Sequence, residues 1–134
     1  TTALFAADPQ AIADALRNLG YRAELTTDAS GDPKIRSAAA GANFAVYFYG
    51  CTAGANCISI QFSAGFDLAQ SPGLAAINEW NRTKRYGKAY LDEENDPYIE
   101  MDVNMAGGLR RDTFESSVKL WDDMLARFQR HIDF

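Results

Sequence analysis

The feature that most constrains this chain is an apolar stripe near its C-terminal end, where Phe114, Val118, Trp121, Leu125, Phe128 and Ile132 recur at steps of three or four. That period is helical, and it predicts a helix over 112–132 with Asp112 as its cap and Glu115 at the capping-box position. A helix of about six turns with one apolar side needs a broad, flat apolar partner, which a β-sheet provides. The rest of the chain should therefore be rich in strands.

Its periodicity agrees. Tyr21, Ala23 and Leu25 alternate with polar residues up to the turn-forming run Asp28-Ala29-Ser30-Gly31-Asp32-Pro33, after which a return strand carries Ile35. Phe44 to Tyr49 is almost wholly apolar, the pattern expected of a central strand covered on both faces. Ile58, Ile60 and Phe62 then alternate with Ser59 and Gln61, as in a strand with one dry face and one wet one. Further on, Lys88 to Glu94 and Tyr98 to Asn104 form a hairpin around Asn95-Asp96-Pro97, with Ala89, Leu91, Ile99, Met101 and Val103 inward and charged residues outward.

Two more helices interrupt these strands. Asp8 before Pro9 opens one over 8–19, with Ile12, Ala15, Leu16 and Leu19 on a face and Gly20 as its stop. Ser71-Pro72 opens the other over 71–85, with Leu74, Ile77 and Trp80 or Asn81 along one stripe. The sum is an α+β fold, an antiparallel sheet of five or six strands with three helices. At 134 residues the chain suits a single domain over 1–134. The two hairpins share the pattern Asp-x-x-x-Asp-Pro-x-Ile, at Asp28 to Ile35 and again at Asp92 to Ile99, each preceded by a helix. Common turn chemistry is enough to produce that echo, and an internal duplication would produce it too.

Charge and motif spacing narrow the function classes. With 13 Lys and Arg against 18 Asp and Glu, the net charge of -5 opposes binding to a phosphate backbone, and the basic cluster at Arg82, Lys84, Arg85 and Lys88 adjoins acidic residues. No apolar run is long enough to span a membrane. The carboxylates Asp92, Glu93, Glu94, Asp96, Glu100 and Asp102 suggest a calcium loop only until their spacing is counted. From Asp92, position six is Pro97 where glycine is needed and position twelve is Val103 where a bidentate Glu is needed. A solvated acidic hairpin is the simpler reading. Glu100 and Asp102 share one strand face, as a glycosidase pair would, but no sugar-stacking cleft can be read from the chain. His131, the sole histidine, reads as a helix-end residue favourable to the helix dipole. Gly107-Gly108 lacks the spacing of a phosphate loop. No catalytic, cofactor or metal residues are expected.

Cys51 and Cys57 flank what looks like a hairpin tip, so a disulfide is geometrically easy; in the loop-entropy model a ring so short stabilises by only about 2 kcal/mol. The pair, together with a small-residue start at Thr1-Thr2-Ala3 like those left after signal cleavage, favours a periplasmic or secreted location over a cytoplasmic one. Asn78, Trp80 and Asn81 either fix a helix to the sheet or present a peptide-binding surface. An exposed Trp80 beside Tyr86 and Tyr90 would anchor a partner, and burial of Trp80 decides between the two.

Asn78-x-Trp80-Asn81, Lys88-Ala89-Tyr90-Leu91-Asp92, Asp96-Pro97 and Glu100-Met101-Asp102-Val103 resemble the YbjN family of bacterial sensory transduction regulators, and Phe48-Tyr49-Gly50-Cys51 and Ile60-Gln61-Phe62 extend the resemblance over almost the whole chain. The resemblance implies a fold similar to type III secretion chaperones and transfers no catalytic residue. The expectation is a non-enzymatic protein- or peptide-binding module with a regulatory or chaperone-like role in the bacterial envelope, a homodimer being one option. Its candidate surface comprises Asn78, Trp80, Asn81, Tyr86, Tyr90, Asp92, Asp96, Glu100 and Asp102. The alternatives are a small-molecule enzyme using a cleft between helix 71–85 and hairpin 88–104, or a structural or stress protein without a stable partner.

Overall fold

The computed structural model describes residues 6–134, so Thr1-Thr2-Ala3 lie outside the described residues. Helix α1 (Pro9–Asn18) leads into strands β1 (Ala23–Thr27), β2 (Pro33–Ala39), β3 (Ala42–Tyr49) and β4 (Ser59–Gly65). Helix α2 (Gly73–Thr83), strands β5 (Lys88–Leu91) and β6 (Pro97–Asn104), and helix α3 (Arg111–His131) complete the chain. The strands form one six-stranded antiparallel sheet in the order β1-β2-β3-β4-β6-β5. It is the α+β architecture the periodicity calls for.

Register fixes which side chains face the helices. Leu25, Ile35, Val46, Phe62 and Met101 lie opposite one another in a row across five strands, and Ala89 opposes Ile99 at the far edge. Against this face α3 lays the predicted stripe: Phe114, Val118, Trp121, Leu125 and Phe128 are all buried. Trp121 stacks on Phe62 at 5.6 Å between ring centroids and meets Phe44 edge-on at 5.7 Å. Phe128 reaches Phe66 at 5.9 Å and Trp80 at 5.1 Å, so α3 also gathers in α2. Tyr21, just after α1, donates its hydroxyl to Asp122 of α3 at 2.6 Å. The three helices thus form one layer on one side of the sheet.

Among the described residues no helix covers the other face, which corrects the reading of Phe44–Tyr49. Along β3 the residues at Ala42, Phe44, Val46 and Phe48 are buried, while Ala45 and Tyr47 are half-buried and Tyr49 is 49% exposed. Tyrosine has an apolar body and a polar tip, so an apolar-looking strand in this case is one wet face made of rings. Other expectations shift for local reasons. Leu74 is 74% exposed because α2 starts at Gly73 and turns only Ile77 and Trp80 inward. Leu25, on the edge strand, is 36% exposed, and Ile58 lies beyond the strand against Gly50 and is 57% exposed.

The helix ends also differ from the simple cap pattern. Asp8 makes no side-chain bond to α1; its carboxylate instead accepts the backbone N–H of Asn56 at 2.6 Å, while the Ala7 carbonyl accepts from Cys57. The lead-in to α1 is thereby tied to the loop closed by the Cys51–Cys57 disulfide. Asp112 does not cap α3, whose N-cap is Arg110; it pairs with that Arg110 guanidinium at 2.7 Å. Ser71, two residues ahead of the observed α2 start, accepts the Gly73 N–H at 3.2 Å.

The two hairpins share identical turn chemistry. The Asp28 carboxylate accepts from the N–H groups of Ser30 and Asp32, and Asp92 accepts from Glu94 and Asp96. Each turn then needs one left-handed residue, supplied by Gly31 (φ 85°) and Asn95 (φ 64°). Asp92 and Asp96 are therefore turn residues.

Among the described residues the Trp121 indole N–H is buried without a hydrogen-bond partner, so its contribution is packing. Replacing Trp121 by Ala should cost about 3–5 kcal/mol in urea unfolding, and Trp121→Phe far less because no hydrogen bond is lost. An Ala variant within about 1 kcal/mol of the parent would contradict this packing.

Candidate functional site

The nine residues singled out in the sequence separate into three sets: those on and just after α2, the turn residues Asp92 and Asp96, and those on the uncovered sheet face. In the first set, Trp80 and Asn81 hold α2 to the sheet. Trp80 is fully buried and donates its indole N–H to the Gly87 carbonyl at 2.9 Å. Asn81 uses both ends of its amide on one residue, accepting the Ala89 N–H and donating to the Ala89 carbonyl, each at 3.0 Å. Burial of Trp80 thus decides for a structural role. His131 belongs with this set, donating Nε2–H to the Ala76 carbonyl at 2.7 Å and lying edge-on to Trp80. Asn78 is exposed on α2, and Tyr86 is 47% exposed with the Arg85 guanidinium 5.7 Å from its ring centre.

The Asn81 contact has a further effect. Ala89 lies on edge strand β5, and its outward N–H and carbonyl are the groups another strand would use to join the sheet. At the opposite edge the Arg17 guanidinium of α1 binds the Ala23 carbonyl of β1. Both edges thus have backbone groups engaged by a side chain from the preceding helix.

Tyr90, Glu100 and Asp102 lie elsewhere, on the uncovered sheet face. Glu100 is its polar centre: Oε2 accepts from Tyr90 (3.0 Å) and from Ser63 (3.2 Å), and Oε1 lies 3.4 Å from Lys88 Nζ. Its side chain is only 13% exposed, so these three donors replace most of its water. Tyr90 stacks on Tyr98 at 5.3 Å with ring planes 10° apart. Tyr98 in turn lies over Gly65, where a Cβ would come within 2.4 Å of its ring, so only glycine allows that fit. Tyr47 and Tyr49 continue the aromatic surface, with Lys34 Nζ 5.6 Å from the Tyr47 ring centre. Between Tyr47 and Tyr98 the small residues Ala45, Ser63 and Gly65 leave a hollow of about 300 Å³, walled on its other side by Arg22, Lys34 and Arg36.

Tyr47, Tyr49, Tyr98, Lys34 and Arg36 were not singled out by sequence reasoning. For Tyr47 and Tyr49 the signal was the alternation Ala45, Tyr47, Tyr49 itself, hidden because tyrosine counts as apolar. The cleft between α2 and the second hairpin also exists, about 370 Å³ and lined by Asn81, Lys84, Arg85, Lys88, Glu100 and Asp102. Its Asn81 and Glu100 are both engaged in holding β5 and β6. Among the described residues no three His, Cys, Asp or Glu side chains are grouped so as to hold a metal ion, and no helix is long and apolar enough to cross a membrane.

The model of one family, YbjN, described as "Putative bacterial sensory transduction regulator", matches residues 8–134. The chain belongs to the YbjN family. No curated protein and no solved structure matches it, so the likeness to type III secretion chaperones has no solved neighbour behind it. Within this YbjN chain, the quoted motif combines scaffold residues (Trp80, Asn81), turn residues (Asp92, Asp96) and face residues (Tyr90, Glu100, Asp102).

Burial, then the hydrogen bond to Glu100, pushes the Tyr90 phenol up to about 12, and burial with the Asp122 bond does the same for Tyr21. Burial, then Glu100 and Asp102, also raises Tyr49; burial, then Asp92 and Asp96, raises Tyr98. A phenol whose folded pKa exceeds its unfolded value of about 10 contributes stability that is complete below pH 10 and fades as pH rises toward 12. Urea midpoints should therefore fall between pH 10 and 12, and less steeply in Tyr90→Phe and Tyr21→Phe. An unchanged slope in both variants would contradict the assignment.

Proposed function

We propose that this YbjN-family chain is a non-enzymatic regulatory module that acts by docking a protein on its uncovered sheet face. The observation that carries the reading is the one-sided architecture. Three helices cover one face, side chains engage both edges, and the remaining broad surface carries Tyr47, Tyr49, Tyr90 and Tyr98 around a satisfied carboxylate. Tyrosine suits docking because it offers large contact area and a hydrogen-bonding tip at small entropic cost. The family's regulator description agrees with a role in binding.

The location we favour is an oxidising one, periplasmic or secreted, because the Cys51–Cys57 disulfide persists there and is reduced in the cytosol. The disulfide pins the loop between β3 and β4, and Asp8 and Ala7 tie that loop to α1. Reduction would therefore loosen the end of the sheet next to Tyr49.

A photo-crosslinking amino acid placed at Tyr47, in the cells that naturally express the chain, should yield a discrete crosslinked protein product. The same group at Lys119, exposed on α3, should not. Equal labelling from both positions, or none from Tyr47, would refute docking on the sheet face.

A further inference from the structure

The uncovered face is electrically lopsided, and its asymmetry follows the strand register. One row across the sheet reads Lys34, Tyr47, Gln61 and Asp102. The next reads Glu24, Arg36, Ala45, Ser63, Glu100 and Lys88. In both rows the charge on β2 is positive and its counterpart on β6 is negative. The outermost strands have the reverse arrangement, Glu24 on β1 and Lys88 on β5.

Consider a second copy placed face to face, related by a two-fold axis running along the strands between β3 and β4. The operation exchanges β2 with β6 and β1 with β5, and it preserves position along the strands. Lys34 then faces Asp102, Arg36 faces Glu100 and Glu24 faces Lys88 of the other copy, each pair occurring twice. No like charges in these rows are opposed. The same operation carries Tyr98 toward Ala38, since each lies four residues along its strand from Asp102 and Lys34 respectively. A ring thus meets a small residue, as interdigitating sheet faces require.

We propose that the partner of this face is a second copy of the chain, in a symmetric sheet-on-sheet dimer. The proposal rests on the docking reading above and names its occupant. An isologous interface requires a self-complementary patch, and the Lys34–Asp102 pair, formed twice around the axis, satisfies that requirement, while Arg36 and Glu24 meet the Lys88–Glu100 ion pair of the other copy. The pairs at β2 and β6 lie about 7 Å from the axis, one and a half strand spacings, so aligned packing at about 30° keeps them within side-chain reach. Six strands about 4.8 Å apart, with about six residues each, give a face of roughly 600 Å² per copy. The roughly 1,200 Å² total lies at the low end for stable complexes, so the dimer is concentration-dependent and weakens as salt rises.

Sedimentation velocity on the intact, oxidised protein tests this directly. The parent should dimerise at low salt. Lys34→Glu and Asp102→Lys, checked for folding by circular dichroism, should each raise Kd about tenfold or more, because attraction becomes repulsion at two symmetry-related places. The double variant Lys34→Glu/Asp102→Lys should regain the parent Kd, and an equimolar mixture of the two single variants should form a heterodimer. A parent that stays monomeric up to its solubility limit would overturn the proposal, as would a dimer indifferent to both reversals. A monomeric parent whose Tyr47 crosslink contains a different protein would overturn self-association and leave docking on this face standing. If no crosslink forms either, both readings fall.

Discussion

A six-stranded sheet has two faces, and this chain carries helix enough for one. Trp121 is where that limit takes effect. Clamped between Phe62 and Phe44, it fixes α3 across the middle strands, and Phe128 extends the contact to Phe66 and Trp80. The other side of the sheet meets water, and strand alternation makes each residue there the neighbour of a core residue. The surface is therefore built on the same backbone as the core behind it. Its groups are further locked by the bonds among Ser63, Tyr90, Lys88 and Glu100.

Much of this arrangement is legible in the sequence because it rests on periodicity. The α3 stripe, the α1 face and the hairpin centred on Asn95-Asp96-Pro97 are set by local patterns that tertiary packing did not override. The two Asp-Pro hairpins fold as their turn chemistry requires, down to the same Asp-carboxylate bonds. Where reading failed, the cause was ambiguity in a residue type. Counted as apolar, Tyr47 and Tyr49 make β3 look covered on both faces. Leu74 was counted into a helix stripe although the helix begins only one residue before it.

The candidate surface was half legible for a different reason. Polar density between Asn78 and Asn104 mixes three tasks that sequence alone does not separate: bonding a helix to an edge strand (Trp80, Asn81), closing a turn (Asp92, Asp96) and facing solvent (Tyr90, Glu100, Asp102). The remaining members, on β2, β3 and β4, are distant in sequence and are brought alongside by sheet order, in which β6 inserts between β4 and β5. The charge pairing across the face likewise exists only once register is known.

That two copies of the chain meet through the uncovered face is tested most directly by isotope-filtered NMR on a mixture of labelled and unlabelled protein. Intermolecular cross-peaks are expected from the Ala38 methyl group to the Tyr98 ring, and from the Ala45 methyl to Ser63. Cross-peaks confined to α1, α2 or α3, or their absence at the highest soluble concentration, would contradict it.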